Sequence, residues 1–178
     1  GLRYSYDMLG EGARTQADAE RYEHIYAEAI TAVGRTAKGQ GPEHGHGVSV
    51  KLSALSPRYE ATHEAGVWED LYPRIVRLAK IAADADINFT IDAEEADRLA
   101  LSLKLLDRLA HEDVLGSWTG LGLAVQAYQK RAPEVIARLT ELSRRSGRRL
   151  MVRLVKGAYW DTEIKRAQVM GRTDYPVF

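Results

Sequence analysis

Residues 150–160 read LMVRLVKGAYW. Met151, Val152, Leu154 and Val155 flank a single arginine, Arg153, and the run ends in Lys156, Gly157 and Ala158. The apolar run predicts a buried strand that passes into a turn exposing its backbone. An unpaired guanidinium is expensive to bury, so Arg153 meets either a ligand or a neighbouring carboxylate. Gly157 and Ala158 remove bulk where a ligand can approach the main chain, and Tyr159 and Trp160 add flat apolar surface. The stretch suits a large, flat, partly anionic cofactor, or else an ion pair within a buried strand.

Outward from this strand the chain alternates two periods. Residues 3–9 (RYSYDML) read as a strand, and Thr15 followed by Asp18 has the capping-box spacing. The helix that follows presents Ala19, Tyr22, Ile25, Tyr26, Ala29, Ile30 and Val33 on one face. Residues 38–47 are rich in glycine and read as a surface loop, in which His44 and His46 have no third metal ligand close by. Residues 47–55, 87–93 and 121–128 are the next strands, and residues 68–85, 94–112 and 131–145 the helices between them. Pro73 belongs in the first turn of its helix or forces a break before it. Arg144, Arg145, Arg148 and Arg149 read as a solvated basic rim at a helix end. A last helix spans residues 162–170. This strand–helix repeat demands parallel strands with crossover helices, in a doubly wound sheet or a βα barrel. The missing G-x-G-x-x-G weakens the nucleotide-binding sheet.

The chain has 178 residues, 45% hydrophobic, with 25 basic residues against 25 acidic and no cysteine. One sizeable core is expected, while a neutral balance argues against nucleic acid as a partner of this segment. Disulfides and thiolate metal sites are excluded. No apolar run reaches the roughly eighteen residues of a membrane span, and a cytoplasmic location is the default.

Each strand carries a polar residue near its C-terminal end: Asp7, Lys51, Asp92, Gln126 and Arg153. The same parity holds Ser49, Ser53, Thr90 and Ala124, while the other is aliphatic, with Val48, Val50, Leu52, Phe89, Ile91, Leu121, Leu123 and Val125. In register, the five polar groups converge at the end of a barrel where active sites form. The competing reading is a buried layer of ion pairs. No metal triad or Ser, His and Asp set falls at those ends, so a cofactor doing the chemistry gains weight.

Five blocks, RYSYDMLGEGA, VSVKLSALSPRY, FTIDAEEADR, VQAYQKR and RLMVRLVKGAYWDTEIKRAQ, together resemble the proline dehydrogenase domain of the bacterial bifunctional proline utilisation A family. The resemblance spans essentially the whole chain. It implies a distorted (βα)8 barrel of the TIM type that holds FAD noncovalently, oxidises L-proline to Δ1-pyrroline-5-carboxylate and hands electrons to a membrane quinone. It further implies a pyrroline-5-carboxylate dehydrogenase domain in the parent polypeptide, peripheral membrane association during turnover, and an oligomer as an open option. By that resemblance Lys51 binds the proline carboxylate, Asp92 lies beside flavin and substrate, and Arg153 sits near the flavin N5. Gln126 hydrogen-bonds the isoalloxazine, Ala93 and Val125 adjoin it, and Val155, Lys156, Gly157, Ala158, Tyr159 and Trp160 wrap the cofactor. Ala158 and Tyr159 border the proline ring, and Glu11 closes the site by pairing with a substrate-binding arginine. Asp92 as catalytic base and Asp92 as structural partner of Lys51 or Arg153 both stay open.

Residues 1–178 are thus expected to form the first five strands of such a barrel, whose remaining strands supply an arginine pair for the substrate. Two open sheet edges follow from that expectation. So do two alternatives: a noncatalytic half-barrel that needs a complementing segment to bind flavin, and a barrel that clamps some other small anion between Lys51 and Arg153.

Overall fold

The computed structural model describes residues 2–8 and 12–178. Its frame is a parallel sheet in the sequential order β1-β2-β3-β4-β5, formed by Ser5–Asp7, Gly47–Val50, Asn88–Ile91, Leu121–Gln126 and Met151–Val155. Sequential parallel order is the barrel arrangement and disposes of the doubly wound alternative, whose strand order reverses at a switch point.

The register fixes which side chains share a face. Asp7 pairs with Ser49, Ser49 with Thr90, Thr90 with Gly122, and Ala124 with Arg153. This inner row is small or polar. The opposite parity, Val48, Val50, Phe89, Ile91, Leu121, Leu123 and Val125, is buried with Tyr26, Ile30, Ile75, Leu78 and Leu105 in one apolar core against the helices. Strand parity therefore separates core from site without any special loop.

Helix α1 (Gln16–Ala37) begins as its sequence predicts: Thr15 accepts from the Asp18 amide, and the Asp18 carboxylate accepts from the Thr15 amide. The next helix departs from the expected single span 68–85. A short turn, α2 (Glu64–Gly66), runs through a π-helical turn at Val67–Leu71 into α3 (Tyr72–Asp84). Pro73 lies in the first turn of α3; lacking an N–H, it breaks the ladder in front of it, and the wider π turn accommodates its ring.

Helix α4 (Leu99–Ala110) starts five residues later than the expected 94. Residues 94–98 are held instead by long-range bonds, because the buried Glu94 carboxylate accepts from the Ser53 amide and the Ala96 amide donates to Glu163. Helix α5 (Ala132–Ser146) has Pro133 in its first turn and Gly147 in the left-handed conformation at its end. Helix α6 (Trp160–Val169) begins two residues earlier than 162, so Trp160 opens the helix rather than closing the turn.

Two further expectations are corrected. Among the described residues β5 pairs with β4 alone, at one of the two open edges expected of five strands, and its outward side chains Val152 and Leu154 are 45% and 64% exposed rather than buried. Arg148 is not part of a solvated rim. Its guanidinium donates to the carbonyls of Ala110, Trp118 and Gly116 at 2.9, 2.7 and 3.0 Å. A run of carbonyls turned inward by the α4–β4 connection needs a donor there, and burial holds the Arg148 guanidinium below its ordinary pKa. His46 accepts from the Tyr4 amide and its ring lies against Tyr4 and Tyr6, so this loop histidine ties β1 down.

Candidate active site at the strand ends

Lys51 follows β2 directly and Asp92 follows β3, so each strand delivers its charge at its C-terminal end. Four charged side chains meet there in a line. Asp7 Oδ2 lies 2.6 Å from Lys51 Nζ, Lys51 Nζ lies 3.1 Å from Asp92 Oδ2, and Asp92 Oδ1 lies 2.7 Å from Arg153 Nη2. Arg153 Nη1 donates to Ser5 Oγ at 2.9 Å. The line thus runs from β1 through β2 and β3 to β5, and its two cations balance its two carboxylates. Burial works to lower the Lys51 pKa, but the Asp7 hydrogen bond and the Asp92 charge outweigh it and hold the ammonium above its ordinary value.

Tyr26 supports Lys51 from the core side. Its hydroxyl accepts from the Lys51 amide at 3.2 Å, and burial pushes the phenol up to about 12, which keeps it neutral. The Glu94 carboxylate joins the two loops on either side: it accepts from Ser53 at 3.0 Å and pairs with Arg98 at 2.7 Å. Burial raises the Glu94 pKa against those partners.

Gln126, the fifth polar residue, does not join the charge line. It is 3% exposed; its Nε2 donates to the Glu94 carbonyl at 2.9 Å and its Oε1 accepts from the Ala158 amide at 3.1 Å. It braces the loop after β3 to the turn after β5. Val125, one position earlier, faces the opposite way and is buried in the core, so its side chain is not brought to the site.

A cleft of about 490 Å³ opens beside the charge line, a size within the range of small-molecule sites. Asp7, Lys51, Asp92, Ala93, Gln126, Val155, Lys156, Gly157, Ala158 and Tyr159 line it, so most of the sequence-derived site residues converge. Trp160 is 47% exposed beside them at the start of α6. Glu11 lies outside the described residues.

Gly157 is a glycine for a reason other than the one its sequence suggests. Its φ is +131°, and a Cβ there would fall 2.5 Å from the ring of Tyr128. The missing side chain admits the Tyr128 ring of this same chain, while Gly157 itself lines the cleft. Ser5, Tyr26, Glu94 and Tyr128 are the contributors that sequence reading missed as site residues. Tyr128 shares strand parity with Gln126, and Tyr26 is a phenol on a core helix face, which needs a partner for its hydroxyl.

The residues present fit a flat, partly anionic cofactor. Arg153 Nε is a buried donor with no partner among the described residues, and the exposed Lys156 adds a cation to the turn. Strand ends of a parallel barrel sheet, a cleft and charges of both signs define an enzyme-type site on a βα barrel scaffold.

Comparison with known proteins gives this scaffold its family. The proline dehydrogenase family matches residues 1–178, and the chain belongs to that family. It is 56% identical over 178 residues to the bifunctional protein PutA of Salmonella typhimurium, and 55% identical to that of Escherichia coli. All of this chain aligns in each case, with 14% of the relative's length. Among solved structures, a variant of proline utilization A from Bradyrhizobium japonicum superposes with a TM-score of 0.95 at 56% identity, covering 99% of this chain and 18% of that one. Proline utilization A from Bdellovibrio bacteriovorus, inactivated by N-propargylglycine, gives 0.88 at 27% identity, covering 98% of this chain and 19% of that one. The five parallel strands are accordingly a partial TIM-type barrel.

Proposed function

We propose that this chain contributes to an FAD-dependent proline dehydrogenase, oxidising L-proline to Δ1-pyrroline-5-carboxylate. The observation that carries the reading is the line Lys51, Asp92 and Arg153 at the strand ends, beside the cleft walled by residues 155–159. A bound flavin would supply two-electron oxidation, as hydride acceptor for proline C5, with the proline nitrogen giving up its proton.

The protein's part is electrostatic and positional. Lys51 holds the substrate carboxylate as a point charge. Arg153 keeps positive charge where negative charge accumulates as the hydride leaves, and a fixed cation there lowers the barrier because it needs no reorganisation. Asp92 lies between the two cations and sets their spacing. Ala93, Gln126, Val155, Lys156, Gly157, Ala158, Tyr159 and Trp160 hold the cofactor, with Val125 contributing at most its main chain. Ala158 and Tyr159 also border the proline ring, and Glu11 acts in closure. Residues 1–178 form part of the dehydrogenase barrel. The partners of this reading are L-proline, a membrane quinone as final electron acceptor and a pyrroline-5-carboxylate dehydrogenase domain in the parent polypeptide. Among the described residues no helix is long and apolar enough to cross a membrane, and this reading takes contact with the membrane quinone as peripheral.

The test is an anaerobic visible spectrum of the flavin-loaded protein before and after L-proline. Bleaching of the flavin band by proline supports the reading. Retention of flavin with no bleaching, in a protein that still binds a proline analogue, overturns it.

A further inference from the structure

Tyr128 has no role in the reaction as proposed, yet it is bonded to the turn after β5 through both its main chain and its side chain. Beyond the end of β4 the pairing with β5 continues, with the Ala127 amide donating to Val155 at 2.8 Å and the Tyr128 amide to Lys156 at 3.1 Å. The Tyr128 side chain then folds over the turn. Its hydroxyl accepts from the Tyr159 amide at 3.0 Å, and its ring occupies the space that a Cβ on Gly157 would need. Burial raises the pKa of the phenol, so it stays neutral, able to accept at its oxygen and retain its own proton. On its far side the Tyr128 carbonyl accepts from the Phe178 amide at 2.9 Å, while Trp160 Nε1 donates to the Phe178 carbonyl at 2.7 Å.

We infer that Tyr128 is a positioning residue for the cofactor turn, its ring and hydroxyl holding residues 156–159 in the conformation that receives the flavin. This rests on the proposed function, because the turn's ligand is taken from it. The physical reason is preorganisation. A turn with a glycine at φ +131° has many alternatives open to it, and a ring stacked on that glycine together with one amide bond removes most of them before the ligand arrives. Binding then need not supply the ordering free energy.

The test uses Tyr128→Phe, which keeps the ring, and Tyr128→Leu, which removes it, in the flavin-binding protein. Hydrogen exchange at the Tyr159 amide is measured without ligand, and FAD affinity by titration of the visible band. Losing one net hydrogen bond of about 1 kcal/mol corresponds to roughly fivefold. Tyr128→Phe should therefore speed Tyr159 exchange about fivefold and weaken FAD binding by a similar factor, with Tyr128→Leu exceeding both. Faster exchange with unchanged FAD affinity and an unshifted flavin spectrum would make Tyr128 a merely structural residue and overturn the inference. Unchanged exchange in both variants would overturn it more directly. If the unsubstituted protein holds no flavin, the proposed function fails and takes the cofactor role with it, while the exchange rates still report whether Tyr128 holds the turn.

Discussion

Replacing Arg153 with methionine separates a catalytic cation from a member of an ion-pair layer. The substitution removes the donor pair that reaches Asp92 at 2.7 Å and Ser5 at 2.9 Å, and leaves Asp92 its contact with Lys51 at 3.1 Å. A hydrogen bond to a charged group contributes about 1.5–3 kcal/mol. The Arg153 side chain is 33% exposed, and discounting for solvent screening leaves about 1–2 kcal/mol of stability at risk. The rate carries a larger expectation, because losing one preorganised charge-stabilising group costs about tenfold to a thousandfold in the chemical step. Arg153→Lys keeps the charge but cannot donate as a planar fork to Asp92 and Ser5 together, so its rate should fall between the two. The assay is stopped-flow bleaching of the flavin band by saturating L-proline under excess FAD and without oxygen, alongside urea unfolding of the same samples. A methionine variant that loses about 1–2 kcal/mol of stability yet reduces flavin at the unsubstituted rate would refute the catalytic role and return Arg153 to the sheet's internal charge balance.

Other substitutions probe the surroundings. Asp7 competes with any substrate carboxylate for Lys51, and since its side chain is 42% exposed the pair is worth only about 0.2–1 kcal/mol; Asp7→Asn should lower the KM for L-proline by up to about fivefold, and an unchanged or raised KM would dismiss the competition. Burial raises the Glu163 pKa, so the fold holds this proton more tightly than the unfolded chain does, and stability falls as pH rises from the ordinary glutamate value through the raised folded one. Glu163→Gln removes that loss, and the urea midpoint of the variant should decline less between pH 4.5 and 8 than that of the unsubstituted protein; parallel pH profiles would contradict the assignment. Arg148→Met orphans carbonyls bonded at 2.7, 2.9 and 3.0 Å, and at about 1 kcal/mol per half-exposed bond it should destabilise by about 2–3 kcal/mol; a drop below about 0.5 kcal/mol in urea unfolding would mean that water replaces the guanidinium without penalty.

What the sequence made legible follows from periodicity. Alternation along each strand separates Ser49, Thr90 and Ala124 from Val48, Val50, Phe89 and Leu123, and the structure puts the first group on the inner row and the second in the core. That is why Lys51, Asp92 and Arg153 could be picked out together before any fold was seen. Around the site, the departures are cases where a tertiary partner overrides a local signal. Glu94 looks like the first turn of a helix, yet it is drawn into the interior by the Ser53 amide and Arg98. Arg148 looks like a cation at a helix end, yet loop carbonyls far from it in sequence capture it. Gln126 shares parity with the charged residues, but an amide can donate and accept at once, so it bridges two loops instead of joining a line of unlike charges. Gly157 looks like space for a ligand, and only the position of the Tyr128 ring shows whose space it is.

The balance of the charge line shapes how a substrate enters. Within the line two carboxylates balance two cations, with Lys156 the further cation of the cleft, so under the proposed function Lys51 holds a substrate carboxylate by giving up one of its partners. The two partners are unequal. Asp7 is 42% exposed on the short edge strand, while Asp92 is 15% exposed and is held also by Arg153. Solvent offsets the loss of an exposed partner far better than that of a half-buried one. Under the proposed function Asp7 is therefore the partner released, and Asp92 the one that stays. A substrate carboxylate replacing Asp7 leaves Lys51, Asp92 and Arg153 undisturbed, with their spacing fixed before the reaction begins. In this reading the ion pair that contributes least to stability is the one that makes the site open to an acid.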